Sequence, residues 1–141
     1  MVGPDGKVLT LLAADFAQPN GLCFSLDEKI LFVNDTDRHT SAPLTSRRMA
    51  LANSRVWAET RGDGPGAPDV VKLDSAGNLF CCGPGGIHVF APDATSLGVI
   101  KVPEYTANFC WGDDDLKSLF ITASTSVYRI RLTTPGLAQL R

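Results

Sequence analysis

The apolar positions of this chain fall in short runs rich in Val, Ile, Leu and Phe, and Gly, Pro, Asn or Asp cuts each run off. No stretch holds the roughly 3.6-residue spacing of an amphipathic helix, so the pattern predicts short strands joined by turns. The predicted strands are residues 8–12, 22–25, 30–34, 56–59, 70–73, 79–82, 87–90, 97–102, 109–111, 119–123 and 126–131. The expected fold class is all-β.

Three segments repeat one layout: a polar leader, a short strand, an acidic turn and a second strand. They open at Asn20, Asp69 and Asn108, and the second strand follows 10, 10 and 11 positions later, at Ile30, Leu79 and Leu119. The leaders are 49 and 39 residues apart, close to the roughly 40–50 residues of one four-stranded propeller blade. A third strand follows in two repeats, at 87–90 and 126–131, and another precedes each leader, at 8–12, 56–59 and 97–102. The period therefore predicts about three blades of a β-propeller, in one domain spanning 1–141.

The first repeat breaks the pattern. Residues 39–52 show no alternation and carry a Pro where a third strand belongs, so an irregular segment and a gap in the sheet are expected. A local frameshift offers one source. Degenerate codons for residues 40–49, read two nucleotides later, permit Ile-Arg-Ala-Phe-Asp-Val-Ala-Pro-Asp-Gly, an alternating strand followed by a turn. A loop peculiar to this chain is the plainer alternative.

Composition narrows the partners. The 141 residues, 44% hydrophobic and 20% charged, suit one modest domain and carry too much apolar material for a disordered tail. Thirteen Lys and Arg against 15 Asp and Glu give a net charge of −2, without the basic footprint of a nucleic-acid binder. No apolar run reaches the about 20 residues of a membrane span, and no membrane partner is expected. The first residues lack the basic and apolar regions of a signal peptide, which favours a cytoplasmic location unless a leader lies upstream of Met1. Cys23, Cys81, Cys82 and Cys110 have no zinc-type or redox-type spacing and sit in apolar runs, so buried, reduced thiols are expected.

The repeat alignment puts Asn20, Asp69 and Asn108 at equivalent places, each just before an innermost strand. In a propeller such positions converge on the central channel. Their oxygen donors suit hard cations such as Ca²⁺ or Mg²⁺, whereas zinc prefers His and Cys. Taken singly, an Asn or Asp before a strand is an ordinary turn residue bonded to its own backbone. Arg61 and Asp63, among glycines ahead of Pro68-Asp69, would make a mobile polar approach to the channel mouth and touch substrate. Asp113-Asp114-Asp115 reads as an exposed turn, Gly83-Pro84-Gly85-Gly86 as a strand connection, and His88 as a structural histidine on a strand. The Gly-x-Ser-x-Gly of a nucleophile elbow does not occur.

Several of these motifs, in order, resemble one family. Gln18-Pro19-Asn20-Gly21-Leu22-Cys23-Phe24-Ser25 with Val33-Asn34-Asp35-Thr36 comes first, then Gly62-Asp63-Gly64-Pro65-Gly66-Ala67-Pro68-Asp69. Gly83-Pro84-Gly85-Gly86-Ile87-His88-Val89-Phe90 and Ala107-Asn108-Phe109-Cys110-Trp111-Gly112 follow. Together they resemble the gluconolactonases of the senescence-marker-protein/regucalcin/gluconolactonase family of six-bladed propellers. The resemblance covers nearly all of the chain but only the C-terminal half of a family member.

It implies metal-dependent hydrolysis of a sugar lactone. Asn20 would be a metal ligand, and Asp69 both ligand and general base. Calcium would be the cation, with Mg²⁺, Mn²⁺ or Zn²⁺ as alternatives. The family's first-blade Glu ligand and an earlier Asn have no counterpart here, so a thin site and weak activity are expected. Val70 replaces the family's Gly after the Asp, which implies strain if that position takes a positive φ. Half a ring leaves two open radial edges. A homodimer completing the propeller is therefore expected, with an inactive half-propeller fragment or a binding module as alternatives.

Overall fold

The computed structural model describes residues 11–36, 47–51 and 56–137, with the backbone alone for 47–51. Its strands are β1 (Pro19–Phe24), β2 (Leu31–Asp35), β3 (Arg47–Leu51), β4 (Val56–Thr60), β5 (Val71–Leu73), β6 (Leu79–Gly83), β7 (Gly86–Phe90), β8 (Ser96–Lys101), β9 (Thr106–Gly112), β10 (Ser118–Ala123) and β11 (Val127–Arg131). Among the described residues there is no helix. The strands make three antiparallel sheets in chain order, β1-β2-β3-β4, β5-β6-β7-β8 and β9-β10-β11. Among the described residues the sheets do not close into a ring.

Strand periodicity explains how they stack. In β6, Leu79 and Cys81 point to one face, while Phe80 and Cys82 point to the other, and all four are buried. Leu79 and Cys81 join Phe32, Ala58, Val71, Leu73 and Phe90 in a core between the first and second sheets. There the Trp57 ring stands edge-on to Phe32 at 5.0 Å and to Phe90 at 6.0 Å. Phe80 and Cys82 join Ile87, Val102, Phe109, Leu119 and Ile121 in a second core, between the second and third sheets. The middle sheet is thus covered on both faces, and each flanking sheet on one.

Two sequence expectations need correction. The first sheet has its third strand: β3 pairs Leu51 with Phe32 and Met49 with Asn34 on one side, and Arg47 with Thr60 and Met49 with Ala58 on the other. It forms without side-chain alternation because β2 and β4 together satisfy its backbone groups on both edges, and that ladder outweighs local pattern. Residues 39–46 and 52 lie outside the described residues. Of the expected strand at 8–12, residues 8–10 also lie outside them, and Leu11 and Leu12 are exposed and not in a strand.

The strands that open the sheets lie side by side. A Cβ placed on Gly21 of β1 would stand 2.0 Å from the carbonyl oxygen of Asp69 and 3.0 Å from the amide of Val71, so this junction admits only glycine. On the other side, Lys72 of β5 donates to the backbone oxygen of Phe109 in β9 at 2.5 Å. A groove of about 1230 Å³ runs along these strands, lined by Leu22, Phe24, Val71, Leu73, Cys110 and Trp111 among others.

Candidate functional site

The site is built at the end of β2, where an apolar strand turns polar. Asn34 and Asp35 are 0% and 2% exposed, so their polar atoms must find partners. Both do. Asn34 Oδ1 accepts the Gly21 amide at 2.8 Å, and its Nδ2 donates to the carbonyl oxygen of Asp69. Asp35 accepts the amides of Ala17 and Gln18 at 3.0 and 2.7 Å, fixing the chain as it enters β1. Thr36, next along, accepts from Asn20 Nδ2 at 3.3 Å and donates to the Pro68 carbonyl at 2.6 Å. These bonds draw the backbones bearing Asn20 and Asp69 together across the boundary between the first two sheets.

Asn20 lies inside β1, Asp69 two residues ahead of β5, and Asn108 third in β9, opposite Thr122. The equivalence read from the repeats is therefore approximate, and the three do not share one environment. Asn108 Oδ1 accepts the Phe109 amide at 2.8 Å and stands 3.5 Å from Lys72 Nζ. That ammonium also lies 5.6 Å over the Phe109 ring. A cation beside Asn108 repels a second one, so the structure groups Asn20 with Asp69 and sets Asn108 apart.

Arg61 and Asp63 lie in the connection from β4 to β5. The ladder places Thr60 opposite Arg47, so β4 ends where β1 begins, and this connection crosses the same end of the molecule as Asn20 and Asp69. Arg61 is paired to Glu59, Nε to Oε2 at 2.9 Å, which holds it at the outer strand. Asp63 is exposed. The expected mobile approach is corrected in part: the connection is seated on the β6–β7 turn. The Gly85 amide donates to the Pro65 carbonyl at 2.9 Å, and a Cβ on Gly64 would come 2.6 Å from Gly85 Cα.

Val70 is not among the residues with positive φ, so the strain expected of a β-branched residue after Asp69 does not arise. Its carbonyl accepts the Cys82 amide at 3.0 Å. His88 is buried, with Nε2 3.0 Å from the Pro84 carbonyl, and desolvation lowers its pKa, which keeps the ring neutral and structural. All four cysteines are free. Burial pushes the thiols of Cys23 and Cys82 up to about 12, and that of Cys81 higher than normal as well. Cys110 corrects the expectation of burial: it is exposed, because its side of β9 faces away from the second sheet. The Asp113-Asp114-Asp115 turn is exposed and engaged by Arg129 and Arg131.

Among the described residues, no group of three or more His, Cys, Asp or Glu could hold a metal ion. Asn20 and Asp69 offer one amide and one carboxylate oxygen, a donor chemistry that fits a hard divalent cation. They would supply two of the roughly six to eight oxygens calcium takes. The large groove is lined farther along the strands by Leu22 to Leu26, Glu28 and Cys110 to Asp114, and none of Asn20, Asp69 or Asn108 lines it. Asn34, Thr36 and Lys72 were not singled out by the repeat; the first two entered the sequence reading only within the Val33-Asn34-Asp35-Thr36 motif, with no role attached.

Comparison with known proteins identifies the family and the fold. The model of the SMP-30/gluconolactonase/LRE-like region matches residues 1–125. A gluconolactonase of Zymomonas mobilis is 38% identical over 146 residues, covering 96% of this chain and 40% of its own. A solved structure from Xanthomonas campestris, described as a gluconolactonase important in glucose secondary metabolic pathways, superimposes with a TM-score of 0.68 at 30% identity, over 94% of this chain and 42% of that one. A calcium-binding protein, regucalcin, of Agrobacterium tumefaciens shares the fold, with a TM-score of 0.67 at 20% identity, over 94% of this chain and 51% of its own. The chain thus spans about half the length of the relatives it matches, and it belongs to the SMP-30/gluconolactonase/LRE-like family.

Proposed function

We propose that this chain carries the half of a lactonase site that holds Asn20 and Asp69, and that the reaction is ring opening of a sugar lactone to an aldonic acid. The observation that supports it is the junction of the first two sheets, where Asn34 and Thr36 tie the two backbones together. Asn20 and Asp69 would hold a divalent cation, calcium first, which when bound supplies Lewis-acid polarisation of the lactone carbonyl. Asp69 takes a proton from the water that attacks the carbonyl carbon. The ring C–O bond then breaks, and the ring oxygen gains a proton and leaves as a hydroxyl. Asp63, exposed at the rim of the same end, would meet the hydroxyls of the sugar.

The parent ring is a six-bladed propeller of which this chain supplies three blades. A second reading rests on the exposed Leu22 and Phe24 on the outer face of the first sheet: two copies close into one ring. Light scattering separates the two, since a pair doubles the 15.1 kDa mass of the chain.

The enzymatic reading is tested by acid release from gluconolactone, with and without added calcium, by the intact chain and by Asp69→Ala. Calcium-dependent turnover that drops by about 100-fold or more in the variant supports it. Equal rates in the two proteins count against it.

A further inference from the structure

We infer that Asn34 and Thr36 are positioning residues, a polar latch that sets Asn20 and Asp69 relative to one another. This rests on the site reading above and deepens it. Neither side chain needs to touch substrate. Asn34 is fully buried, yet both ends of its amide are used, and each end serves a different sheet: Oδ1 takes the Gly21 amide of β1, and Nδ2 reaches the Asp69 carbonyl ahead of β5. Thr36 repeats the arrangement two residues on, just past the end of β2. Its hydroxyl accepts from the Asn20 side chain and donates to the Pro68 carbonyl.

Four bonds from two side chains therefore bridge the residues next to, or at, both site positions. Asn34 is the next-to-last residue of β2 and Thr36 follows the strand directly, and both side chains reach the backbone just ahead of β5. Asp35 points the other way and secures residues 17 and 18. Gly21 completes the device, because any side chain there would collide with the Asp69 carbonyl and push the two strands apart. A buried amide in this role has no apolar substitute, since both the Gly21 amide and the Asp69 carbonyl would lose their partner.

The test uses the full chain with Thr36→Val, which keeps the shape and removes the hydroxyl, and Thr36→Ser, which restores it. Two readouts are taken. The first is calcium affinity by calorimetry together with lactone turnover. Groups that orient ligands cost about 10–100-fold in affinity or activity when removed, so Thr36→Val should lose that much and Thr36→Ser should recover most of it. The second is the NMR signals of the Asn20 side-chain amide and the Asp69 backbone amide, which need neither metal nor turnover. Both should move in Thr36→Val and return in Thr36→Ser, while signals of the β9–β11 sheet stay in place.

Shifted amides in a chain that binds no calcium and opens no lactone would uphold the latch and sink the site reading. An active chain whose Thr36→Val variant keeps its affinity, turnover and amide signals would overturn the latch and leave the site reading standing.

Discussion

On the face of the first sheet turned away from the second, Leu22 and Phe24 are 61% and 55% exposed, beside half-buried Val33 and Leu31. The corresponding face of the third sheet carries Cys110, Phe120 and Arg129 in one row, and Ser118 and Arg131 in the next. There Arg129 lies 5.7 Å over the Phe120 ring and 2.7 Å from Asp113, and Arg131 pairs with Asp113 and Asp115. Each face belongs to a sheet whose other side closes one of the two cores, yet one resembles a core cut open and the other is dressed for water. An uncovered apolar row on a sheet marks a surface that another element covers. Arginine pairs on the opposite face can stay hydrated, because exposed ion pairs add little and cost little.

The largest contrast is between either face and the interior they enclose. Leu79→Ala, at a fully buried position between the first two sheets, should cost about 2–5 kcal/mol in urea unfolding. Leu22→Ala, on the open face, should change stability by less than about 0.5 kcal/mol. Equal costs would mean that the open face is packed in solution.

Next in size is association. Leu22→Lys with Phe24→Lys should abolish concentration-dependent self-association in sedimentation velocity, since each such side chain contributes about 1.5–3 kcal/mol when covered. A wild-type chain that stays monomeric at high concentration would remove the premise. Val127→Lys, on the third sheet's face, serves as the comparison: its residue is 72% exposed but flanked by polar neighbours, and the change should be smaller.

Acid should weaken the third sheet. Hydrogen bonds from Arg131 and the Lys117 amide hold Asp115 at about 2, below its usual 3.8. Bonds from Ser126, Tyr128 and Thr125 hold Glu104 at about 2, below 4.5. A carboxylate depressed in the folded state contributes stability that is present above its unfolded value and lost as pH falls through the folded one. The thermal midpoint should therefore drop between about pH 4 and pH 2, and Arg131→Gln should flatten part of that drop. An unchanged profile in the variant would show that the Asp115 pair adds nothing.

The smallest effect is a chemical label. Iodoacetamide should modify Cys110 while Cys81 and Cys82 stay unreacted in the folded chain, with little change in stability. Protection of Cys110 at high concentration would show that the third sheet's face is covered in a pair.

Most of the strands were legible along the chain because each inner-sheet strand is a short apolar run closed by a turn residue. β6 and β7 needed no more than that. β3 was not legible: its residues carry no alternating pattern, and the strand exists because β2 and β4 leave two backbone edges to be paired. The site divided in the same way. Asn20 and Asp69 could be picked out by their places in the repeat, as could Asn108, but position in a repeat says nothing about neighbours. Lys72 stands beside Asn108 through a contact between sheets, across 36 residues of chain.

The sequence by itself determined the all-β class, the blade-like period, the family and the two oxygen donors worth testing, because periodicity and turn chemistry are local properties that each segment carries alone. The tertiary structure decided which polar residues do the positioning. Asn34 and Thr36 stand in the sequence only as members of the Val33-Asn34-Asp35-Thr36 motif, and they become a latch only when the segment ahead of β5 brings the carbonyls of Pro68 and Asp69 to them. A buried amide must find partners wherever the chain places it, and one of Asn34's partners, the Asp69 carbonyl, comes from ahead of the second sheet.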